Sequence, residues 1–208
     1  MRTFPDLRMR QLTQDAGRAQ GLLDQSQHRE ARELFTEVRA RARKLGLDSA
    51  YLDWGVAVCS DYLGELEMAF DSIRESVAKD PFNPAAQHSF EIIAGHIRAA
   101  LVDAGRAADD ASTPRLYQLL LAAGEADVSC HVAMARYLAH AGKADEAMRL
   151  LDAVTLLAPA SRDAWLQKAA LARALGNESL AAECEGQAAA LATADVPFGI
   201  PAPRGAAC

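Results

Sequence analysis

The chain has 208 residues, of which 50% are hydrophobic, and its formal net charge is −6. This composition suits one or two globular units. No apolar run reaches the roughly 18 residues that a membrane-spanning helix needs, so no membrane span is predicted. The four cysteines are far apart and form no C-x-x-C pair, which argues against a disulfide framework.

The charge is unevenly distributed along the chain. Residues 1–46 carry ten Lys or Arg against six Asp or Glu, whereas residues 47–208 carry twelve against twenty-two. Such asymmetry can steer an acidic partner to one end of a protein. We favour a simpler interpretation, in which the cations at 39–44 complement the dipole at the end of a helix. Since the total charge is acidic and no recognition motif is present, we predict no nucleic-acid partner.

The first residues, MRTFPDLRMRQLTQDAG, lack the apolar core of a signal peptide, so a cytoplasmic protein is expected. Residues 1–11 are predicted to be an extension or the start of the first helix. Alanine is abundant, and no alternating Val, Ile and Thr segments lie between tight turns. Both features favour an all-α fold.

The segment YLDWGVAVCSDYLG (51–64) has two apolar stripes where a surface helix needs one. The stripes lie roughly 125° apart around a helix. They consist of Tyr51, Trp54, Val58 and Tyr62 on one side and Leu52, Val56, Cys59 and Leu63 on the other. One stripe can face a core, and the other needs a different explanation.

A regular period appears further along the chain. The interval from Gly142 to Gly176 is the same as the interval from Ala147 to Ala181. The segment YLGELEMA (62–69) has the same spacing of glycine and alanine within it. A recurring interval of this kind is the signature of a repeat protein.

This pattern resembles the tetratricopeptide repeat, a helix–turn–helix unit of about 34 residues with small residues at the helix crossing and glycine at the turn. The resemblance implies an all-α, right-handed superhelical solenoid of antiparallel helix pairs. About five repeats are expected over residues 12–195, at 12–45, 50–83, 84–127, 128–161 and 162–195.

Two parts of the chain depart from the pattern. The stretch 84–127 is longer and lacks the glycine and alanine positions, so it is either a divergent, enlarged repeat or a break between two shorter arrays. Residues 196–208 contain three prolines and no helical period, and a Pro-rich tail is predicted there.

Motifs for catalysis or metal binding are absent from the sequence. There is no phosphate-binding loop, no H-E-x-x-H and no G-x-S-x-G. His88 and His96 could share one face of a helix, but no third ligand follows at a suitable spacing. Cys59 and Cys184 are interpreted as small core residues. We therefore predict no enzyme activity, no metal and no cofactor.

The resemblance implies a role in binding proteins or peptides, because repeats of this family bind ligands along the concave face of their first helices. The positions that match the family's ligand-facing positions include Tyr51, Trp54, Val58, Asp61, Tyr62, Arg136, His140, Leu166 and Arg173. Aromatic and arginine side chains are the types that most often anchor interfaces. A ligand with apolar anchors and an acidic group is expected.

Alternatives remain for two of these features. Asp53 and Ser60 stand where the family usually has large core residues, so a rotation of this helix could instead pack Trp54 and Tyr62 on a neighbouring repeat. The tail residues Phe198 and Ile200 could dock into the groove of the same chain or of a second copy, which would produce self-association.

The sequence therefore predicts a non-catalytic scaffold or adaptor that captures a protein or peptide segment in a helical groove. The alternative is a specialised chaperone, similar in architecture to the repeat-containing chaperones of type III secretion.

Overall fold

The computed structural model describes residues 4–107 and 111–194, and within these ranges it contains ten α-helices and no strand. The helices are α1 (Phe4–Asp24), α2 (His28–Lys44), α3 (Ala50–Tyr62), α4 (Leu66–Lys79), α5 (Pro84–Ala107), α6 (Ser112–Ala123), α7 (Val128–His140), α8 (Ala144–Leu157), α9 (Arg162–Ala174) and α10 (Glu178–Ala194). The predicted all-α fold of helix pairs is confirmed.

The chain divides into two compact units, residues 1–99 and residues 100–208, with the boundary inside α5. The boundary falls in the stretch 84–127 that departs from the repeat pattern. The predicted repeat boundaries stay predictions, and the tail 196–208, with Phe198, Ile200 and Cys208, lies outside the described residues.

The turns inside the helix pairs explain the recurring glycines. Gly142 and Gly176 have φ of +76° and +77°, in the left-handed region that side chains with a Cβ rarely adopt. The amide of Gly142 donates to Ala139 O, and the amide of Gly176 donates to Arg173 O, at 3.2 and 3.0 Å. Each bond closes the last turn of a helix and directs the chain back along its partner.

Small side chains let the paired helices approach closely. Ala57 and Ala69 are fully buried where α3 and α4 pack together. The equivalent alanines of the α7–α8 and α9–α10 pairs are also buried, namely Ala135, Ala147, Ala169 and Ala181. The periodic pattern therefore identified the residues that set the spacing between helices.

The core of the first unit is centred on Phe35 of α2, which is fully buried. Its ring lies directly against the backbone of α3 at Gly55, where an added Cβ would be only 2.6 Å from the ring. Leu52, Val56 and Cys59 of α3 pack into the same cluster. One of the two stripes in the segment 51–64 therefore faces the core.

The core of the second unit is formed mainly by aliphatic residues of α7, α8 and α9. It includes Val132, Leu138, Leu151, Val154 and Leu171. In the same unit, a Cβ added at Gly105 of α5 would lie 2.9 Å from the carbonyl oxygen of Ala133 in α7. The two backbones therefore approach each other closely at this glycine.

Within the described part of the chain, none of the helices combines the length and the apolar character needed to cross a bilayer.

Candidate functional site

Asp53 is the unusual residue of α3, because its carboxylate is fully buried. Lys79 Nζ of α4 lies 2.6 Å from Oδ2, and the guanidinium groups of Arg39 and Arg43 of α2 each lie 3.3 Å from Oδ1. A buried carboxylate is tolerated when cations and hydrogen bonds compensate its lost hydration. The cluster joins three helices around one acidic group.

The side of α3 that carries Asp53 faces the interior of the first unit. Asp53 and Ser60, which occupy positions usually filled by large core residues in the repeat pattern, are both fully buried. The dipole interpretation of the cations at 39–44 was incomplete, because Arg39 and Arg43 reach sideways to Asp53. The pKa of Lys79 is raised, since its bonds to Asp48 and Asp53 outweigh the opposing effect of burial.

The second stripe of α3 lies at the surface of the first unit. We add Ile92 of α5 to this stripe and call the resulting surface the ring face. Its members are Tyr51, Trp54, Val58, Tyr62 and Ile92. Tyr62 is 67% exposed, while Tyr51 and Ile92 are each 43% exposed. Trp54 and Val58 are half-buried. The first unit therefore presents aromatic and aliphatic side chains to solvent along one side of α3.

The polar atoms of these rings already have partners inside the unit. Tyr51 Oη donates to Gln20 Oε1 of α1 at 2.9 Å, and Trp54 Nε1 donates to Ser89 Oγ of α5 at 3.0 Å. The Tyr51 and Trp54 rings stack with centroids 5.9 Å apart. Tyr62 stacks on His28 with centroids 4.2 Å apart. The rings are therefore fixed in orientation while part of their surface stays open.

Trp54 contacts a neighbouring helix, and part of its side chain remains accessible to solvent. Its hydrogen bond to Ser89 is a contact with the neighbouring helix α5, and the side chain is only half-buried in spite of this contact. Asp61 makes a similar connection, because His96 Nδ1 of α5 lies 2.8 Å from its Oδ1. Both pairs have the same offset in sequence, so α3 and α5 run side by side in the same direction.

Sequence reasoning missed the contribution of α5. Ser89, Ile92 and His96 follow a three-then-four spacing, so they share one side of the helix. This side faces α3, as the contacts of Ser89 and His96 demonstrate. The spacing was visible in the sequence, but the stretch lacks the repeat landmarks that would have marked it as a first helix.

The candidate residues of the second unit lie around α7 and α9. Arg136 and His140 line a cavity of about 270 Å³, which we call the alanine cavity. Its other lining residues are Ala135, Ala139, Leu151, Gln167, Ala170, Leu171 and Ala174. Small side chains on both helices leave this space open. Leu166 is half-buried, and Arg173 is exposed; neither lines the cavity.

The two arginines of the second unit have partners. Arg136 Nε donates to Gln167 Oε1 at 3.2 Å, and its guanidinium lies 4.0 Å from Asp163 Oδ1. The Arg173 guanidinium lies 2.7 Å from Glu185 Oε1. An incoming acidic group would therefore have to share or replace these partners.

The cysteine thiols that the structure describes are buried. Burial raises the pKa of Cys59 and of Cys130 to about 11. Both thiols therefore stay protonated near neutral pH, whereas a nucleophilic cysteine needs a lowered pKa. Within residues 4–107 and 111–194, no three His, Cys, Asp or Glu side chains are grouped so that they could hold a metal ion.

Comparison with known proteins gives matches only among solved structures. No model of a known protein family matches the chain, and no curated protein matches it.

The structural matches are helical repeat proteins with low sequence identity. YrrB, described as a TPR protein with an unusual peptide-binding site, is 15% identical, with 85% of this chain and 84% of YrrB covered and a TM-score of 0.44. MamA from Desulfovibrio magneticus RS-1 is 11% identical, with 89% and 97% covered and a TM-score of 0.44. The TPR2AB domain of yeast Sti1, in a complex with pHSP90, is 14% identical, with 88% and 79% covered and a TM-score of 0.43.

All three TM-scores lie below 0.5, so these likenesses add no evidence beyond the helix pairs themselves. The chain has a tetratricopeptide-like architecture because its buried alanines and left-handed glycines recur with the same spacing.

Proposed function

We propose that the chain is a non-catalytic scaffold that captures a peptide or protein segment on the ring face of its first unit. The observation that carries this proposal is the open, ordered arrangement of Tyr51, Trp54 and Tyr62. Aromatic side chains offer a large contact area with few rotatable bonds, and they dominate the energetics of many interfaces.

The hydrogen bonds of the rings favour this function. Because Tyr51 and Trp54 bond to Gln20 and Ser89, the rings need little further ordering when a ligand arrives. Ordering a flexible side chain at an interface costs roughly 0.5–1.5 kcal/mol, so fixed rings reduce this cost. The ring face also includes two aliphatic side chains, which supply apolar surface beside the rings. A segment with one or two apolar anchors fits this chemistry.

The acidic group expected in the ligand remains a prediction for the second unit. His140 and Arg136 line the alanine cavity, and Arg136 would have to shift from Gln167 to receive a carboxylate. Arg173 would similarly have to give up Glu185. For this reason we assign the main binding energy to the ring face rather than to these arginines.

The proposal can be tested with peptides selected from a random displayed library against the purified chain. Affinities of the selected peptides are then measured by fluorescence anisotropy. Tyr62→Ala should weaken binding about tenfold or more, because it removes an exposed aromatic anchor. Trp54→Ala should act in the same direction.

Phe82→Ala provides a matched control, since Phe82 is 90% exposed in the same unit but lies in the turn between α4 and α5. It should leave the affinity unchanged. Equal losses for Phe82→Ala and Tyr62→Ala, or a loss confined to Arg136→Ala, would contradict binding on the ring face.

The chaperone alternative has one observation in its favour. Leu156 and Leu157, at the end of α8, are 81% and 84% exposed, so the second unit also presents apolar surface. A chaperone should keep an aggregation-prone client soluble during co-expression, whereas an adaptor should join two folded partners. Light scattering of a heat-aggregating test protein, with and without the chain, separates these functions. A cytoplasmic location remains a prediction in both cases.

A further inference from the structure

The first unit contains a cavity of about 320 Å³ between α1 and α2, and none of the ring-face residues lines it. We call it the basic cavity; it is lined by Arg8, Gln11, Leu12, Arg41, Lys44 and Leu45. Of these described residues, three are cationic and none is acidic. Its volume lies at the lower end of the range of about 300–1,000 Å³ that is usual for ligand pockets.

One of the three cations is fixed in position. Arg41 Nη1 donates to Asp15 Oδ2 of α1 at 2.7 Å, and it lies 3.5 Å from Glu37 Oε1. Arg8 and Lys44 differ from it, because neither has an ion-pair partner among residues 7–107 and 111–192, whose side chains the structure describes. The basic cavity therefore combines one ordered guanidinium with two cations that have no ion-pair partner among residues 7–107 and 111–192.

The helix dipole accounts for only one of these two cations. Lys44 is the last residue of α2, where a positive charge is favourable. Arg8 lies in the second turn of α1, far from the C-terminal end of that helix, so the dipole does not stabilise its charge.

The remaining lining residues add apolar surface. Both leucines line the cavity; Leu12 is buried, and Leu45 is 41% exposed. No aromatic side chain is among the described lining residues, although stacking on aromatic rings is a common means of binding single-stranded nucleic acid. The site thus combines separate cations with aliphatic surface.

We propose that the basic cavity binds an acidic peptide segment. A carboxylate of the segment lies between Arg8 and Lys44, and an adjacent aliphatic side chain of the segment packs on Leu12 and Leu45. Arginine and lysine form short, charge-assisted hydrogen bonds with carboxylates, and two convergent cations hold the group more firmly than one. This site shares no residue with the ring face, so it does not depend on the function proposed above.

The test uses a fluorescently labelled peptide of about ten residues in which Glu and Leu alternate, chosen to match the paired cations and aliphatic surface. Anisotropy titrations are performed with the full chain. The double variant Arg8→Glu with Lys44→Glu should lose at least tenfold in affinity. Both side chains are exposed, so circular dichroism should report an unchanged helical content.

A matched control changes the same charge on the same two helices. Arg10→Glu with Arg29→Glu alters the net charge equally, but Arg10 lies about 200° around α1 from Arg8, and Arg29 lies near the opposite end of α2 from Lys44. This control should bind the peptide within about twofold of the unmodified chain, and a peptide with Gln in place of Glu should bind at least tenfold more weakly.

Three outcomes would overturn the proposal. The first is equal binding of the Gln peptide or the absence of binding by the Glu peptide. The second is an equal loss in the control variant, which would indicate attraction by overall charge. The third is tighter binding of a single-stranded oligonucleotide of about ten nucleotides with the same dependence on Arg8 and Lys44, which would assign the cavity to nucleic acid.

Discussion

The two units differ in how the side chains that were predicted to face a ligand are bonded. In the first unit, α3 presents Tyr51 and Tyr62 to solvent, and the polar atom of the neighbouring Trp54 ring is bonded within the unit. In the second unit, the guanidinium groups of Arg136 and Arg173 donate hydrogen bonds to Gln167 and Glu185, respectively. Internal bonds therefore leave apolar ring surface open in one unit and occupy the charged groups in the other.

This difference suggests what makes a repeat surface suitable for binding. Aromatic rings can satisfy their single polar atom internally and still offer most of their area to a ligand. An arginine whose guanidinium is already hydrogen-bonded within the chain has fewer N–H donors available for a ligand. Substitutions in each unit test this comparison. The largest change in the free energy of unfolding should come from removing the buried charge of the first unit.

Removing the buried carboxylate of Asp53 should destabilise the chain strongly, and it should act on the first unit alone. Asp53→Ala removes the anion shared by Lys79, Arg39 and Arg43, although Asp48 and Glu75 still pair with two of these cations. The loss should therefore lie near the lower end of the about 3–5 kcal/mol that breaking a buried ion pair costs. Urea unfolding should report a loss of this size. Glu75→Ala serves as a control, because Glu75 is half-exposed and surface ion pairs contribute about 0–1 kcal/mol.

The buried cysteines report which unit is affected. Cys59 belongs to the first unit and Cys130 to the second, and both thiols are fully buried. The measurement uses variants in which either Cys59 or Cys130 is the only cysteine of the chain. In these variants, Asp53→Ala should accelerate labelling of Cys59 by a thiol reagent. Labelling of Cys130 should keep its original rate. Equal acceleration at both cysteines would mean that the two units open together.

The contact between Phe35 and α3 should respond to a single methyl group. Gly55→Ala places a Cβ within 2.6 Å of the buried ring, and overpacking of this kind costs about 1–3 kcal/mol. Gly21→Ala in α1 is the matched control, because nothing lies within 4 Å of its added Cβ. It should stabilise the chain by about 0.5–1 kcal/mol through improved helix propensity. Thermal melts of both variants measure the difference.

Removing the charge of Arg173 should alter stability only slightly. Its side chain is 51% exposed, so solvent screens its ion pair with Glu185, and the pair contributes little to stability. Arg173→Ala should therefore produce a minor change in the urea midpoint. A loss comparable to that of Asp53→Ala would contradict the difference drawn between the buried and exposed charges.

The weakest response should be the pH dependence from Glu75. Burial opposes ionisation of this carboxyl, but the charge and hydrogen bond of Arg43 outweigh it and lower the pKa of Glu75 from its ordinary value of 4.5. The ionised group therefore stabilises the folded state above pH 4.5, and this contribution disappears as the pH falls through the lowered pKa. The stability difference between the unmodified chain and Glu75→Gln should shrink accordingly in more acidic solution. A stability difference that does not change with pH would contradict this contribution of the ionised Glu75.

Much of the fold could be predicted because its determinants are local and periodic. Alanines such as Ala147 and Ala181 recur at the helix crossings, and Gly142 and Gly176 recur at the turns. These residues act through backbone geometry, so their regular spacing is sufficient to recognise them. The stretch 84–127 has no such landmarks, and its helix α5 was harder to relate to the neighbouring helices.

The candidate site could be predicted only in part, because its partners are distant in sequence. The spacing marked Trp54 and Tyr62 as residues that face either a ligand or a neighbouring repeat, but it could not reveal that Trp54 bonds to Ser89 or that Tyr62 stacks on His28. Asp53 was recognised as a departure from the pattern. Its cations could not be chosen from several nearby arginines without the packing of α2 against α3.

The contact of the Phe35 ring with the backbone at Gly55 has a consequence for the speed of recognition. Because the ring fills the space beside this glycine, α3 cannot turn about its axis without driving its own backbone into Phe35. A ligand would therefore meet the aromatic side chains of α3 in their final arrangement. Under the proposed function, the observed association rate should rise linearly with ligand concentration, as expected when no slow rearrangement precedes or follows the encounter.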